Sequence, residues 1–120
     1  MSLVSLLASD GYFVVNKQLV RELGLNEAVL FGALCSEYNL WLSTNQLSDG
    51  MFFCTIDRLK ELTGMSYHKQ QQTLPKLQEL EFIDIVLEGL PAKRFFRVNE
   101  EAVLNYFKTS FQKIQKLDVE

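Results

Sequence analysis

The order of predicted elements between Thr55 and Asn99 restricts the folds open to this chain. A short amphipathic segment, a turn with a glycine, a second helical segment and two alternating stretches follow one another. They are, in order, a helix from Thr55, the turn Gly64-Met65-Ser66, a helix from Tyr67, and strands at 82–88 and 93–98 around Gly89-Leu90-Pro91-Ala92. Glycine permits a sharp turn between two helices, and Gly-Leu-Pro-Ala is typical of a hairpin tip. The order therefore predicts helix, turn, helix and β-ribbon.

The rest of the chain supplies helices around this unit. Asn16 caps a predicted helix over 17–23 that ends at Gly24, and Asn26 caps a second helix that is apolar nearly all round. Residues 12–15 are predicted to form a short strand or extended arm, and 51–54 a short strand. Asn99-Glu100-Glu101 begins a final helix. We expect a mainly α fold with a small antiparallel β-sheet (α+β), a winged helix-turn-helix.

Length and composition predict a single domain. The 120 residues are 48% hydrophobic, enough to bury one core. We expect one domain over 1–120, with its core at about 11–99 and a C-terminal helix at about 100–117. The apolar runs are too short to span a bilayer, and the N-terminus lacks a basic region, so a cytoplasmic location without membrane association is expected. Cys35 and Cys54 have no metal or redox spacing and are predicted to be reduced core residues.

Charge argues against a protein that coats nucleic acid by electrostatics alone. Twelve Lys and Arg face fifteen Asp and Glu, for a net charge of −3. The segment 66–97 carries five basic and four acidic residues, a balance of +1, so the remainder carries −4. Basic residues are therefore slightly concentrated in the predicted helix-turn-helix and ribbon.

The second helix of the turn motif has two different sides. Helical spacing places four residues toward the core: Tyr67, Gln70, Leu74 and Leu77. It places His68, Lys69, Gln72 and Lys76 on the opposite side, with Gln71 and Thr73 flanking them. Lysines can neutralise phosphates, and a glutamine amide can pair with the major-groove edge of adenine. The alternative is a solvated polar face, because Lys and Gln are common on helix surfaces.

Pro75 is expected to disturb this helix. Proline removes one backbone donor and crowds the carbonyl four residues earlier, which belongs to Gln71. We expect a kink or restart near Thr73-Leu74. The part of the helix that could face a groove would then be about two turns long.

The ribbon brings further cations to the same unit. Lys93, Arg94 and Arg97 lie in its second strand, with Lys93 and Arg94 beside the hairpin tip, where they could contact a sugar-phosphate backbone. The alternative is a salt-bridged hairpin, in which Lys93 or Arg94 faces Glu88 or Asp84.

The sequence gives little support to an enzyme. It has no phosphate-binding glycine loop, zinc-ligand spacing or nucleophile elbow, and His68 has no catalytic partner at a recognisable spacing. No catalytic residue, metal ligand or cofactor is expected.

Five segments of the chain, which begin at Gly24, Asp49, Leu59, Leu77 and Gly89, read GLNEAVL, DGMFFCT, LKELTGMS, LQELEFI and GLPAKRFFRVN. Together these segments resemble the winged-helix domains of Gram-positive phage and mobile-element replication proteins, such as the N-terminal domain of the primosome protein DnaD and phage replisome organisers. The resemblance covers about 11–100. The chain departs from the pattern at Pro75, and at Glu81, where such domains commonly have glycine.

The resemblance implies double-stranded DNA binding at a replication origin, recruitment of replication proteins and self-association. The expected DNA contacts are His68, Lys69, Gln71, Gln72, Thr73, Lys76, Lys93, Arg94 and Arg97. The final helix has an apolar stripe that could form a homodimer interface, at Leu104, Phe107, Phe111 and Ile114. Two alternatives are a winged-helix module for protein–protein interaction or oligomerisation without DNA binding, and a transcriptional regulator.

Overall fold

The computed structural model describes the backbone of residues 2–7 and 11–119 and the side chains of 2–7 and 11–109. Its elements are α1 (Leu3–Leu7), α2 (Lys17–Leu23), α3 (Leu25–Ser43), β1 (Phe52–Phe53), α4 (Ile56–Thr63), α5 (Tyr67–Glu79), β2 (Ile83–Glu88), β3 (Lys93–Val98) and α6 (Glu100–Val119). The predicted fold class, mainly α with a small antiparallel sheet, is confirmed. The extent of the domain stays a prediction, and α1 was not predicted.

The three strands form one antiparallel sheet in the order β1-β3-β2. Phe52 of β1 pairs with Phe96 of β3, and their rings stack with centroids 5.8 Å apart. The hairpin of β2 and β3 pairs Ile83 with Val98 at its base and Glu88 with Lys93 at its tip. The central strand β3 is thus fixed on both edges, which holds the hairpin against the rest of the fold.

Helix α3 runs through the centre of the core. Leu30, Ala33 and Leu34 are fully buried, as its nearly continuous apolar sequence predicts. Gly32 lets the extended arm 12–15 lie directly against the helix, because a Cβ there would collide with the carbonyl oxygen of Val14. Residues 12–15 form no strand. Of the two predictions for this segment, a short strand or an extended arm, the extended arm is confirmed.

The first two core helices are joined more tightly than predicted. Asn16 caps α2, with its side chain accepting from the amide of Leu19 at 3.0 Å, as expected. Helix α3 begins at Leu25 with Gly24 as its N-cap, so the prediction that Asn26 caps it is wrong. Gly24 ends one helix and begins the next, which leaves no room for a separate asparagine cap.

The helix-turn-helix is built by three local signals. Thr55 Oγ1 accepts from the amide of Arg58 at 2.9 Å and caps α4, and Ser66 Oγ caps α5 through the amide of Lys69 at 3.2 Å. Gly64 ends α4 in the left-handed region, at φ 76°, which glycine adopts without a steric penalty. The chain therefore turns over three residues, as predicted.

The predicted restart of α5 at Pro75 is wrong. The helix continues without a break from Tyr67 to Glu79, about three and a half turns. The amide that proline lacks would have bonded to the carbonyl of Gln71, an exposed residue that solvent can reach. The helix therefore tolerates the missing hydrogen bond and presents a longer face than the sequence indicated.

The start of α6 packs on the domain. Tyr106 meets Phe82 edge to face at 5.3 Å, and Val103 and Phe107 lie partly buried against the core. Leu104 is about half exposed. The predicted interface residues Phe111 and Ile114 lie outside the residues whose side chains the structure describes. Within the described parts of the chain, no helix is both long and apolar enough to cross a membrane.

Glu81 stands where the resembling domains commonly have glycine, and its backbone conformation shows why glycine suits this position. It connects α5 to β2 with φ 61°, a left-handed conformation that costs a residue with a Cβ more than it costs glycine. Its backbone is fixed there, since its amide donates to Gln78 and its carbonyl accepts from Asn99. Glycine fits this position, and the chain carries Glu81 at some cost in stability.

We therefore expect Glu81→Gly to raise the free energy of unfolding by about 0.5–1 kcal/mol, measured by urea denaturation. Glu81→Ala removes the same charge but keeps the Cβ, and is the matched control. Equal stability of the two variants would contradict the strain at this position.

Candidate nucleic-acid interface

The exposed side of α5 carries the polar residues that the helical spacing predicted. The side chains of this surface, here called the α5 face, belong to His68, Lys69, Gln71, Gln72 and Lys76. The first turn of α5 contains no acidic residue, so Lys69 has no carboxylate beside it within that turn. The α5 face can offer ammonium groups and amides to a ligand, which are the groups that contact phosphates and base edges.

Two residues of α5 do not lie where the spacing placed them. Tyr67 was assigned to the core but is 56% exposed, because it opens the helix beside the turn. Thr73 was assigned to the DNA-contacting set but is 2% exposed, and its hydroxyl donates to the carbonyl of Lys69 at 2.7 Å. Thr73 is therefore removed from the candidate contacts.

The hairpin presents fewer free cations than predicted. Lys93 is exposed, with its Nζ 5.4 Å from the centroid of the Phe53 ring. Arg97 is half exposed, and its guanidinium donates to the carbonyl of Asp49 at 2.9 Å and forms an ion pair with the carboxylate of Asp84 at 3.6 Å. Lys93 is thus the cation of the hairpin that can most readily meet a ligand.

Arg94 is buried, so the prediction that it contacts DNA from the surface is wrong. Arg94, Phe96 and Val98 alternate along β3 on its inner side, and Arg94 is only 8% exposed. Its guanidinium lies over the Phe96 ring, with the central carbon 5.0 Å from the ring centroid. Its Nε donates to the carbonyl of Cys54 at 3.4 Å.

Gln70 joins this buried arginine to the helix-turn-helix. Nη2 of Arg94 donates to Oε1 of Gln70 at 2.8 Å. Nε2 of Gln70 donates to the carbonyls of Ile56 at 3.0 Å and Met65 at 3.1 Å, so both amide hydrogens are used. One fully buried amide therefore connects the start of α4, the turn, α5 and β3.

Burial leaves the charge of Arg94 poorly compensated. It lowers the pKa of the guanidinium, an effect that the Cys54 thiol and the Tyr67 phenol oppose. Among the side chains described, Arg94 has no carboxylate within 4 Å, and its Nη1 is a buried nitrogen without a hydrogen-bond partner. The candidate interface thus contains an unpaired positive charge beneath its surface.

A second contact, which is partly buried, holds the motif from the core side. Glu37 of α3 is 6% exposed and accepts two hydrogen bonds from Arg58 of α4, at 2.8 and 3.3 Å. A bidentate pair of this kind fixes both distance and orientation. It holds the first helix of the turn motif against the core.

Other kinds of chemistry find little support in the described residues. Within them, no three His, Cys, Asp or Glu side chains lie together as a metal site. Burial raises the pKa of the Cys54 thiol to about 11 and that of Cys35 to about 12, so both thiols are protonated near neutral pH. The absence of enzymatic activity stays a prediction.

The fold is similar to that of two solved structures of DNA-related proteins. One, described as "N-Terminal domain of DNA binding protein", superposes with a TM-score of 0.61 at 14% identity, over 92% of this chain and 94% of that one. The other, described as "Structure of Rep-DNA complex", gives 0.60 at 12% identity, over 92% and 95%. No family model and no curated protein matches the sequence. At these identities the likeness establishes the fold.

The buried link between Gln70 and Arg94 was missed from the sequence. Helical spacing placed Gln70 on the core side, and strand alternation placed Arg94 beside Phe96 and Val98, so each signal was present separately. Taken together, two polar side chains on core-facing positions would have predicted a buried polar contact.

We predict that Gln70 and Arg94 stabilise the fold jointly. Gln70→Leu and Arg94→Met should each lower the free energy of unfolding by about 2–4 kcal/mol, because each leaves a buried partner unsatisfied. The double variant should lose less than the sum, by about 1–3 kcal/mol, in urea denaturation followed by circular dichroism.

Lys93→Met combined with Gln70→Leu is the matched control, since Lys93 neighbours Arg94 but is exposed. Its two effects should add. Additive effects for Gln70 and Arg94 themselves would contradict the link.

Proposed function

We propose that this protein binds duplex DNA and acts in the initiation of DNA replication or its control, with a phage or mobile element as its source. The observation that carries the proposal is the α5 face, held to the hairpin through the buried Gln70–Arg94 contact. The likeness to structures described as a DNA-binding protein domain and a Rep–DNA complex supports it. The sequence resemblance to DnaD-like and replisome-organiser domains supports the assignment to replication.

Each exposed residue has a role suited to its chemistry. Lys69 and Lys76 neutralise backbone phosphates from α5, and Lys93 does so from the hairpin. Gln72 supplies the amide that reads an adenine edge in the major groove. His68 and Gln71 add polar contacts beside them. Arg94 has a positioning role, because it fixes the hairpin relative to α5 without reaching the surface.

The net charge of −3 is compatible with this mode of binding. A local set of three lysines provides the attraction, while the acidic remainder weakens binding to nonspecific duplex. The proposal includes a cytoplasmic location and no catalytic activity.

We expect Lys69→Ala with Lys76→Ala to reduce affinity for a short duplex by about tenfold at low salt and to flatten its salt dependence. Fluorescence anisotropy at two salt concentrations measures both effects. Each lysine that contacts a phosphate displaces counterions, and its loss removes that contribution.

Lys17→Ala with Lys108→Ala removes the same charge from exposed positions on α2 and α6, and should change affinity much less. Equal losses in the two double variants would indicate a nonspecific charge effect. Absence of duplex binding by the unmodified protein at low salt would overturn the proposal.

A second candidate is a homodimer-forming interaction module that does not bind DNA. It is favoured by an apolar cleft of about 530 Å³ between α3 and α6. The apolar side chains lining it are Phe31, Cys35, Tyr38, Val98, Val103, Leu104 and Phe107. In the sequence, the stripe predicted on α6 also includes Phe111 and Ile114, whose side chains lie outside the described residues.

If a second copy covers this cleft, Leu104→Ser should lower the dimer fraction in analytical ultracentrifugation, because it removes apolar area from the contact. Leu90→Ser changes a fully exposed leucine at the hairpin tip and is the control. A protein that is monomeric at every concentration would exclude this candidate.

A further inference from the structure

The side of the β-sheet that faces away from the core carries aromatic rings. Along β3, buried side chains alternate with Lys93, Phe95 and Arg97, which therefore lie on the outward side. Phe95 pairs in register with Phe53 of β1 and with Val86 of β2, so these three share that side. The surface formed by these five residues is here called the outer sheet face.

The two rings of the outer sheet face contact each other rather than the core. The ring centroids of Phe53 and Phe95 lie 5.7 Å apart, with the ring planes inclined at 43°. Among the described side chains, neither ring belongs to the core or to the partly buried apolar residues packed against it. Val86 beside them is 37% exposed. Core packing therefore does not account for this aromatic pair, and an apolar patch at a surface commonly marks a binding site.

Two cations flank the rings along β3. Nζ of Lys93 lies 5.4 Å from the centroid of the Phe53 ring, so its ammonium lies above β1. Among the described side chains, no carboxylate is within 4 Å of it, although Glu88 is its partner in register. The pair of Arg97 with Asp84 is half exposed on both sides, so it is weak and a phosphate can replace the carboxylate.

Rings and cations in this arrangement are the groups that hold an unpaired nucleic-acid strand. A flat aromatic ring stacks on the face of any base, and a lysine or arginine beside it neutralises the neighbouring phosphate. Aromatic side chains on a small sheet act in this way in proteins that bind single strands. A duplex cannot use such rings, because its stacked base pairs cover the faces of each base. The outer sheet face therefore suits a single strand.

We infer that the outer sheet face binds single-stranded DNA, with Phe53 and Phe95 stacking on unpaired bases and Lys93 and Arg97 contacting phosphates. The choice of DNA over RNA rests on the proposed function. Arg94, which joins β3 to α5, lies on the inner side of the same strand. The single strand and the duplex thus have different surfaces, which share Lys93.

Three carboxylates border the outer sheet face and weaken it. Register places Glu88 beside Lys93 and Asp84 beside Arg97, and Asp57 lines a cleft with Lys93. Because they repel a polyanion, stacking has to supply most of the affinity, and the salt dependence should be small. Glu88→Gln should strengthen binding about threefold. Glu101→Gln removes the same charge from exposed α6 and is the control.

The first test measures binding of a short labelled oligo(dT) by fluorescence anisotropy. Phe53→Leu and Phe95→Leu should each lower affinity about tenfold, because leucine is apolar but lacks the flat ring. Tyr12→Leu removes an exposed ring from the arm and should change little. Absence of oligo(dT) binding by the unmodified protein, or equal losses for Tyr12→Leu and Phe95→Leu, would overturn the inference.

Two further measurements do not depend on the leucine variants folding. Phe95→Tyr keeps a ring and should bind oligo(dT) as the unmodified protein does. In ¹⁵N-labelled unmodified protein, the amides of residues 53, 86 and 93–97 should shift on one curve during titration with oligo(dT). Shifts confined to α5 would overturn the inference. If Phe95→Leu lowers the sedimentation coefficient of the protein alone, a second copy covers this face and the inference also fails.

The second test separates this site from the proposed function. Lys69→Ala with Lys76→Ala should lose duplex affinity and keep oligo(dT) affinity, and Phe95→Leu should do the reverse. If the lysine variant loses both and Phe95→Leu loses neither, the inference fails and the proposed function stands. If oligo(dT) binds through Phe95 and duplex does not bind, the proposed function fails and the single-strand site remains. Tighter binding of oligo(rU) than of oligo(dU), which differ only in the 2′-hydroxyl, would overturn the assignment to DNA.

Discussion

The fold around the candidate interface depends on one buried amide. The side-chain amide of Gln70 donates hydrogen bonds to the carbonyls of Ile56 and Met65, and its oxygen accepts one from Arg94. Because an amide in a closed site cannot satisfy these partners in another orientation, the turn motif and the hairpin share one relative position. The Glu37–Arg58 pair then fixes this unit to α3. The exposed lysines are arranged by contacts that lie beneath them.

This arrangement suits the proposed binding of a polyanion by an acidic protein. A chain with net charge −3 cannot rely on its overall field to hold a duplex, so the geometry of a few cations has to supply the attraction. The α5 face contributes two lysines and the hairpin one. The unpaired charge of Arg94 raises the local potential while remaining out of solvent. Placing a cation inside the fold keeps it from being neutralised by the many surface carboxylates.

The sequence predicted the features that depend only on residues close together in the chain, such as a helix cap and the strands. Asn16 was identified as a cap because a cap acts within one turn, and the strands followed from alternation. Prediction from the sequence failed for side chains whose contacts lie far away along the chain. The burial of Arg94 depends on Gln70, 24 residues earlier, and the contact follows from the helix and strand patterns only when the two are combined. The Asn26 prediction failed because Gly24 already serves as the cap. The extra length of α5 depends on solvent replacing the hydrogen bond lost at Pro75.

The central claim is that α5 and the tip of the hairpin meet DNA as one surface. It is tested most directly by following the backbone amides of ¹⁵N-labelled protein during titration with a short duplex. The account predicts that amides at 67–76 and at 92–94 shift together along a single binding curve, while amides lining the cleft between α3 and α6 stay in place. Shifts confined to that cleft, or separate curves for the helix and the hairpin, would contradict it.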